Sequence, residues 1–256
     1  MPDPNENGFC AISTSTLACD LCDVRERSIC IDLHPRELVQ VQKLMSRKTV
    51  AKGRAILAEG EPNDALYVVV TGSFRLTKYL EDGRRQVTGF LFKGDFVGVR
   101  PTEENPYTVE ALEECLVCVF PHKYLEEVAK TSPGVKDRLI ARAQNEYHKA
   151  QDHIVLLGRN NAEERVISFL KMVHEATISP ALSNRHSAGD SDPRNGTIEK
   201  ADGDDLYRVH LSMPRQDIAD YLGLRLETLS RTLAALKKKG VIGSLSRTEI
   251  GLRESV

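Results

Sequence analysis

Apolar positions along the chain change period several times, and each change marks an element. Between residues 34 and 46, Leu38, Val41, Leu44 and Met45 recur at helical spacing behind Pro35, which suits a first helical turn. A short amphipathic helix is predicted there. From 52 to 120 the pattern becomes short β-rich runs, LYVVV (66–70), SFRLTKYL (73–80), QVTGFLF (86–92) and CLVCVF (115–120), and the first three run into glycine-containing turns. Such spacing predicts an antiparallel roll or barrel. Between 133 and 157 strand signals vanish. Ile140, Ala143, Tyr147, Ala150, Ile154 and Leu157 recur at alternating spacings of three and four. That period of about 3.5 is a coiled-coil seam on one long helix, and the two alanines permit close helix approach. A helix packed on its own domain gives the same stripe, so dimer seam and internal face both stay open. A further amphipathic helix is predicted at 161–173, and the polar stretch 179–205 is expected to be a mobile loop.

The segment 211–242 divides into two helices at Leu222-Gly223-Leu224. In the first, Ser212 is expected as the cap and Ile218, Ala219 and Leu222 as the inner face. In the second, Leu226, Leu229, Leu233 and Leu236 turn inward, leaving Arg225, Glu227, Thr228, Ser230 and Arg231 outward near its N-terminal half. This is the layout of a helix-turn-helix, whose second helix offers its first residues to base edges in the major groove. Lys237, Lys238 and Lys239 end that helix, suiting both its dipole and DNA phosphates, and Val241-Ile242 begin a β-wing.

Composition changes this picture in two respects. The formal net charge is -2, yet residues 206–256 hold nine Lys or Arg against five Asp or Glu, leaving a +4 module on a -6 body. A basic module steers toward a polyanion whatever the total. No apolar run approaches the roughly 18 residues needed to span a membrane and no secretory signal opens the chain, so a cytoplasmic protein is expected. Among six cysteines, Cys10, Cys19, Cys22 and Cys30 sit in the first thirty residues, with Cys115 and Cys118 in the last β-rich run. In a reducing compartment these are metal ligands or redox thiols rather than a disulfide framework.

The run Glu227-Thr-Leu-Ser230-Arg231 after Leu222-Gly-Leu resembles the recognition helix of the CRP/FNR superfamily, in its FNR-type branch. GDFVGV (94–99), ALEECLVCVFP (111–121) and NAEERVISFL (161–170) resemble the same branch in the same order. The resemblance implies an α+β protein: an antiparallel β-roll like a cyclic-nucleotide-binding domain, joined by a long dimerisation helix to a winged helix-turn-helix. The corresponding boundaries are a cysteine arm at 1–33, the roll at 34–132, the dimer helix at 133–160 and the DNA-binding domain at 161–256. It also implies a homodimeric transcription regulator of the anaerobic or microaerobic response, an activator reading an inverted TTGAT-type repeat, with RNA polymerase as partner. The chemistry agrees: Arg231 can donate to guanine O6 and N7, Glu227 can accept from cytosine N4, and Ser230 can meet a neighbouring base.

Cys19-x2-Cys22-x7-Cys30 supplies three soft ligands on a short arm. By resemblance the fourth is Cys118, with Cys115 as rival, and the group held is an oxygen-labile [4Fe–4S] cluster whose loss weakens the dimer and releases DNA. Three residues apart on a strand, the two late cysteines point to opposite faces, so one of them alone can face a cluster. The gap of seven before Cys30 departs from the five of the best-known FNR pattern. From residue type alone, zinc or redox-thiol chemistry remains open. Cys10 is expected to be a spare thiol, and His34 and His122 ordinary, partly exposed histidines. Cyclic nucleotide is not expected, because Pro106-Tyr107-Thr108 stands where an arginine pair would cradle the phosphate. No nucleophile–base constellation or cofactor loop supports an iron–sulfur or thiol redox enzyme, the alternative from another class.

Overall fold

The computed structural model describes residues 35–131, 133–159, 161–177, 206–244 and 248–253, together with residues 19, 22, 24, 25, 28, 30, 31 and 246. Cys10, His34 and the stretch 179–205, with the expectations attached to them, lie outside the described residues. Helix α1 (Pro35–Leu44) leads into β1 (Ser46–Val50), β2 (Ala55–Leu57), β3 (Ala65–Thr71), β4 (Phe74–Tyr79), β5 (Arg85–Leu91), β6 (Phe96–Val97), β7 (Thr108–Ala111) and β8 (Cys115–Pro121). Helices α2 (His122–Thr131), α3 (Pro133–Arg159) and α4 (Ala162–Thr177) follow, then β9 (Leu206–His210), α5 (Arg215–Tyr221), α6 (Leu226–Lys238), β10 (Ile242–Ser244) and β11 (Glu249–Arg253).

The strands β1 to β8 form two antiparallel four-stranded sheets, ordered β1-β8-β3-β6 and β2-β7-β4-β5. Alternating side chains fill the space between them with Val50, Phe74, Val109 and Val117, while the outer face of the first sheet packs Val68, Phe96 and Phe120 against Leu38 and Val41 of α1 and Leu125 of α2. This is the expected roll. The sequence pattern missed β1, β2, β6 and β7, which are short or largely polar, and also helix α2.

The 27 residues of α3 make a rod about 40 Å long. It ends beside α4, whose Val166, Phe169, Leu170 and Val173 are the buried stripe of the C-terminal unit. Around that stripe lie α5, α6 and a three-stranded wing ordered β10-β11-β9. The fold is an α+β roll joined by a long helix to a winged helix-turn-helix. No described helix is long and apolar enough to cross a membrane.

Candidate functional site

The reading head is built on a tight turn. Leu222 caps α5, Gly223 takes the left-handed φ of +60°, and Leu224 N–H donates to the Ala219 carbonyl at 2.9 Å. Arg165 of α4 donates to the Leu222 carbonyl at 2.9 Å and to the Leu157 carbonyl at 2.7 Å, so the turn is tied to the end of α3. Within α6, Leu229, Thr232, Leu233 and Leu236 are buried, and the Thr232 hydroxyl is satisfied by the Thr228 carbonyl at 2.8 Å. Arg225, Glu227, Ser230 and Arg231 are exposed and Thr228 is half-buried, which leaves the predicted base-reading face free on the surface.

Two expectations about this pair of helices fail. Leu226 does not turn inward: as the first residue of α6 it is 38% exposed, and Thr232, not read as an inner residue from the sequence, is buried beside Leu229, Leu233 and Leu236. Ser212 does not cap α5. The helix begins after an extended Pro214 with no side-chain cap, and the Ser212 hydroxyl lies 2.6 Å from the Ser73 hydroxyl of the roll instead. All three lysines ending α6 are exposed, and Lys239 is in addition held by both carboxylate oxygens of Glu163 at 2.6 and 2.7 Å.

On α3, Ile140, Tyr147 and Ile154 are 51, 63 and 70% exposed and Ala143 and Ala150 lie open between them. Large apolar side chains exposed in a row are a feature that association surfaces present. Leu157 departs from this row. Half-buried, it packs toward the head, where a Cβ at Gly223 would lie 3.4 Å from its Cδ2.

Among the described residues of the cysteine arm, the N–H groups of Cys22, Arg25, Ser28 and Ile31 each donate three residues back. Val24 and Ser28 of the arm are buried. Cys118 sits in β8, paired with Arg47 of β1 on one side and Val68 of β3 on the other, and belongs to the apolar cluster against which Cys30 also packs. Desolvation pushes the Cys30 thiol up to about 12; the Ser28 hydrogen bond opposes the rise, and Cys118, Cys19 and Cys22 add to it. Cys118 is pushed up to about 11 by burial, with Arg47 pulling the other way and Cys22 and Cys19 raising it. Among the described residues no group of three or more His, Cys, Asp or Glu is gathered closely enough to hold a metal ion as the side chains stand. Burial of this kind keeps thiols protonated until a metal displaces the proton.

Cys115 is committed elsewhere. It lies in the other core, between the two sheets, and its thiol donates to the carbonyls of Ser73 and Glu113, both at 3.3 Å. A Cβ at Gly72 would come within 2.5 Å of its sulfur. His122, expected to be partly exposed, is buried instead, with its Nε2 2.7 Å from the Gly98 carbonyl, because β8 runs directly into α2 beneath the β3–β6 edge.

One site residue left no trace in the sequence. Asp217 of α5 is fully buried and bound by two arginines of the roll, Arg75 on β4 at 2.6 Å and Arg85 on β5. Arg75 also meets Glu110 at 2.8 Å. Burial alone would lower the Arg75 pKa, but hydrogen bonds and charge from Asp217 and Glu110 outweigh it and raise the value.

Residues 47–132 match the cyclic nucleotide-binding domain family and residues 164–254 the Crp-like helix-turn-helix domain family. Over 224 residues the chain is 34% identical to the transcriptional activator protein FnrL of Cereibacter sphaeroides, covering 88% of this chain and 83% of that protein. The nitrogen fixation regulation protein FixK of Bradyrhizobium diazoefficiens is also 34% identical, over 88% of this chain and 85% of its own length. The anaerobic regulatory protein of Pasteurella multocida is 30% identical over 93% and 78%. Among solved structures, FixK2 from Bradyrhizobium japonicum superposes with a TM-score of 0.65 at 33% identity, covering 82% of this chain and 93% of that one. With roll, long helix and winged helix-turn-helix in the same order, the chain belongs to the CRP/FNR superfamily of DNA-binding transcription regulators, among its Fnr- and FixK-like members.

Proposed function

We propose that the chain is a cytoplasmic homodimeric activator of the anaerobic or microaerobic response, which reads an inverted TTGAT-type repeat, engages RNA polymerase and carries a [4Fe–4S] cluster on Cys19, Cys22, Cys30 and Cys118. The observation that supports the cluster is that Cys30 of the arm and Cys118 of β8 pack against one apolar core. Four soft thiolates are the donor set such a cluster uses, so the residues fit it. When bound, the cluster supplies oxygen sensitivity at the junction of the arm and the roll. The chain's own residues do the rest. Cys118 anchors the arm to β8, the exposed stripe of Ile140, Ala143, Tyr147, Ala150 and Ile154 covers itself with the same stripe of a second copy, and two copies of α6 then stand about one helical turn of DNA apart.

Single Cys→Ser variants purified without oxygen test the ligand set by iron and sulfide content. Cys19, Cys22, Cys30 and Cys118 should each be required. Cys115→Ser should keep its iron, because the serine hydroxyl can donate to the same Ser73 and Glu113 carbonyls. Iron retained in Cys118→Ser and lost in Cys115→Ser would overturn the choice of fourth ligand, and zinc in place of iron would overturn the cluster.

A further inference from the structure

The helix-turn-helix is stitched to the roll by polar contacts of fixed direction. Each oxygen of the buried Asp217 carboxylate meets its own arginine, Oδ2 the Arg75 Nη1 at 2.6 Å and Oδ1 the Arg85 Nη2. Arg85 also reaches Asp220 at 3.3 Å, and Gln86 Nε2 donates to the Asp220 carbonyl at 2.6 Å. At the other side of α5, Ser212 meets Ser73, whose hydroxyl lies 2.9 Å from Glu113. Around these contacts the apolar core runs on without a break, since Val87, Phe92 and Leu112 of the roll belong to the same cluster as Phe169, Leu222 and Leu229 of the head.

Apolar contact alone allows sliding, because it depends on area and not on direction. Ion pairs to two separately anchored guanidinium groups allow one register. Removing charge from water in this way contributes little net stability, so selection of one geometry is what such a contact best achieves. The geometry in question is the angle between the roll, which leads through α2 into α3, and the recognition helix α6, which follows α5 after four intervening residues.

We propose that Asp217, held by Arg75 and Arg85, is a positioning residue that sets how far apart the two recognition helices of a dimer stand, and hence which half-site spacing the protein accepts. This rests on the dimeric reading given above. The clamp touches no base. It narrows the tolerance of the pair, in the way a stiff linker narrows the span two binding modules can bridge.

Binding titrations of the cluster-loaded protein against inverted repeats with the natural spacer, and with spacers one and two base pairs longer or shorter, test this beside a single half-site. The unmodified protein should lose about tenfold or more when the spacer changes, since one head then disengages. Asp217→Asn and Arg85→Gln should lower affinity for the natural spacer and shrink the spacer penalty to about threefold or less. A variant that is merely less stable lowers its active fraction for every DNA alike and leaves the ratios unmoved. Arg85→Gln, on a side chain that is 29% exposed, carries the test should Asp217→Asn fail to fold. Variants with the same spacer penalty as the unmodified protein would overturn the clamp alone. An unmodified protein indifferent to spacer, binding a half-site as well as the repeat, would overturn the dimeric reading and the clamp with it.

Discussion

The imidazole of His153 lies on the ring of Tyr221, 4.1 Å between centroids and 12° from parallel, and its Nε2 meets the Tyr221 carbonyl at 2.9 Å. One residue belongs to α3 and the other closes α5, so this stack joins the proposed dimer helix to the helix-turn-helix. Tyr221 passes the contact on, with Phe90 of the roll at 5.4 Å and Phe169 of α4 at 5.8 Å. Burial pushes its hydroxyl up to about 12.

The stack has a pH dependence whose sign follows from burial. Desolvation lowers the His153 pKa below 6.5, with the hydrogen bond to Tyr221 opposing, so the fold favours the neutral ring. A folded value below the unfolded one means that the contribution is whole above about pH 6.5 and is lost as pH falls through the folded value. Glu146, Lys149 and Asp152 of α3 and Glu175 of α4 line the same cleft of about 760 Å³ and set the surrounding charge. Thermal melts at pH 7.5 and pH 5 should show a loss of stability that is smaller in His153→Phe, which keeps the stack without the proton. His174 shifts in the same direction by burial and contributes equally to both proteins, so the difference between them isolates His153. Equal losses would show that this ring does not titrate within the window.

The outward stripe on α3 predicts a separation of folding from assembly. Ile154 is so exposed in one chain that Ile154→Glu should leave the melting of the isolated chain nearly unchanged. In a seam the same change places an unpaired charge in an apolar contact and should raise the dimer dissociation constant by at least about tenfold. Sedimentation of the anaerobic variant checks it. A fully dimeric Ile154→Glu protein would remove this face from the interface.

Gly223 supports a prediction about the turn between the two reading helices. At φ +60° an L side chain is strained, whereas a Cβ there would meet Leu157 only at ordinary contact distance. Gly223→Ala should therefore cost roughly 1–2 kcal/mol, read from denaturant unfolding. An unchanged midpoint would mean that the turn relaxes to another conformation without strain.

What the sequence made legible were the features that repeat locally. The long helix over 133–157, the short β-rich run LYVVV and the inward Leu229, Leu233 and Leu236 each depend on neighbours within a few residues, and the structure has a helix, a strand and three buried leucines there. Contacts that close over long separations were hidden. Asp217 reads as a solvated helix charge until Arg75 and Arg85 are folded onto it from more than 130 residues away. Ser212 has the chemistry of a helix cap and spends it on Ser73, and Lys239 looks like its two neighbours until Glu163 is found against it. Cys115 and Cys118 were separable as opposite faces of a strand and the choice of Cys118 came only from resemblance; in the structure Cys30 packs on the cluster that holds Cys118, while Cys115 lies in the other core. Elements such as β6, with two residues, carry too little pattern to be read at all.

That difference among the lysines sharpens the test that separates base reading from attraction to phosphate. Arg231 is exposed on the first half of α6, so Arg231→Ala should lose a bidentate base contact worth roughly 1–3 kcal/mol on the specific site and flatten the preference at one position of each half-site. Its effect on random DNA should be small. Lys237 and Lys238 are exposed at the other end of the same helix, and neutralising either should weaken binding to all sequences alike and reduce the salt slope by about one unit per phosphate contact in each subunit. Lys239 is already paired with Glu163, so Lys239→Gln should change the slope less than either neighbour does, and Glu163→Gln should release the lysine and steepen it. Titrations at several salt concentrations, against a site with each base varied in turn, compare all five variants. Equal losses on specific and random DNA for Arg231→Ala would remove it from the base-reading surface, and a Lys239→Gln slope matching that of Lys237→Gln would show that the Glu163 pair opens when DNA binds.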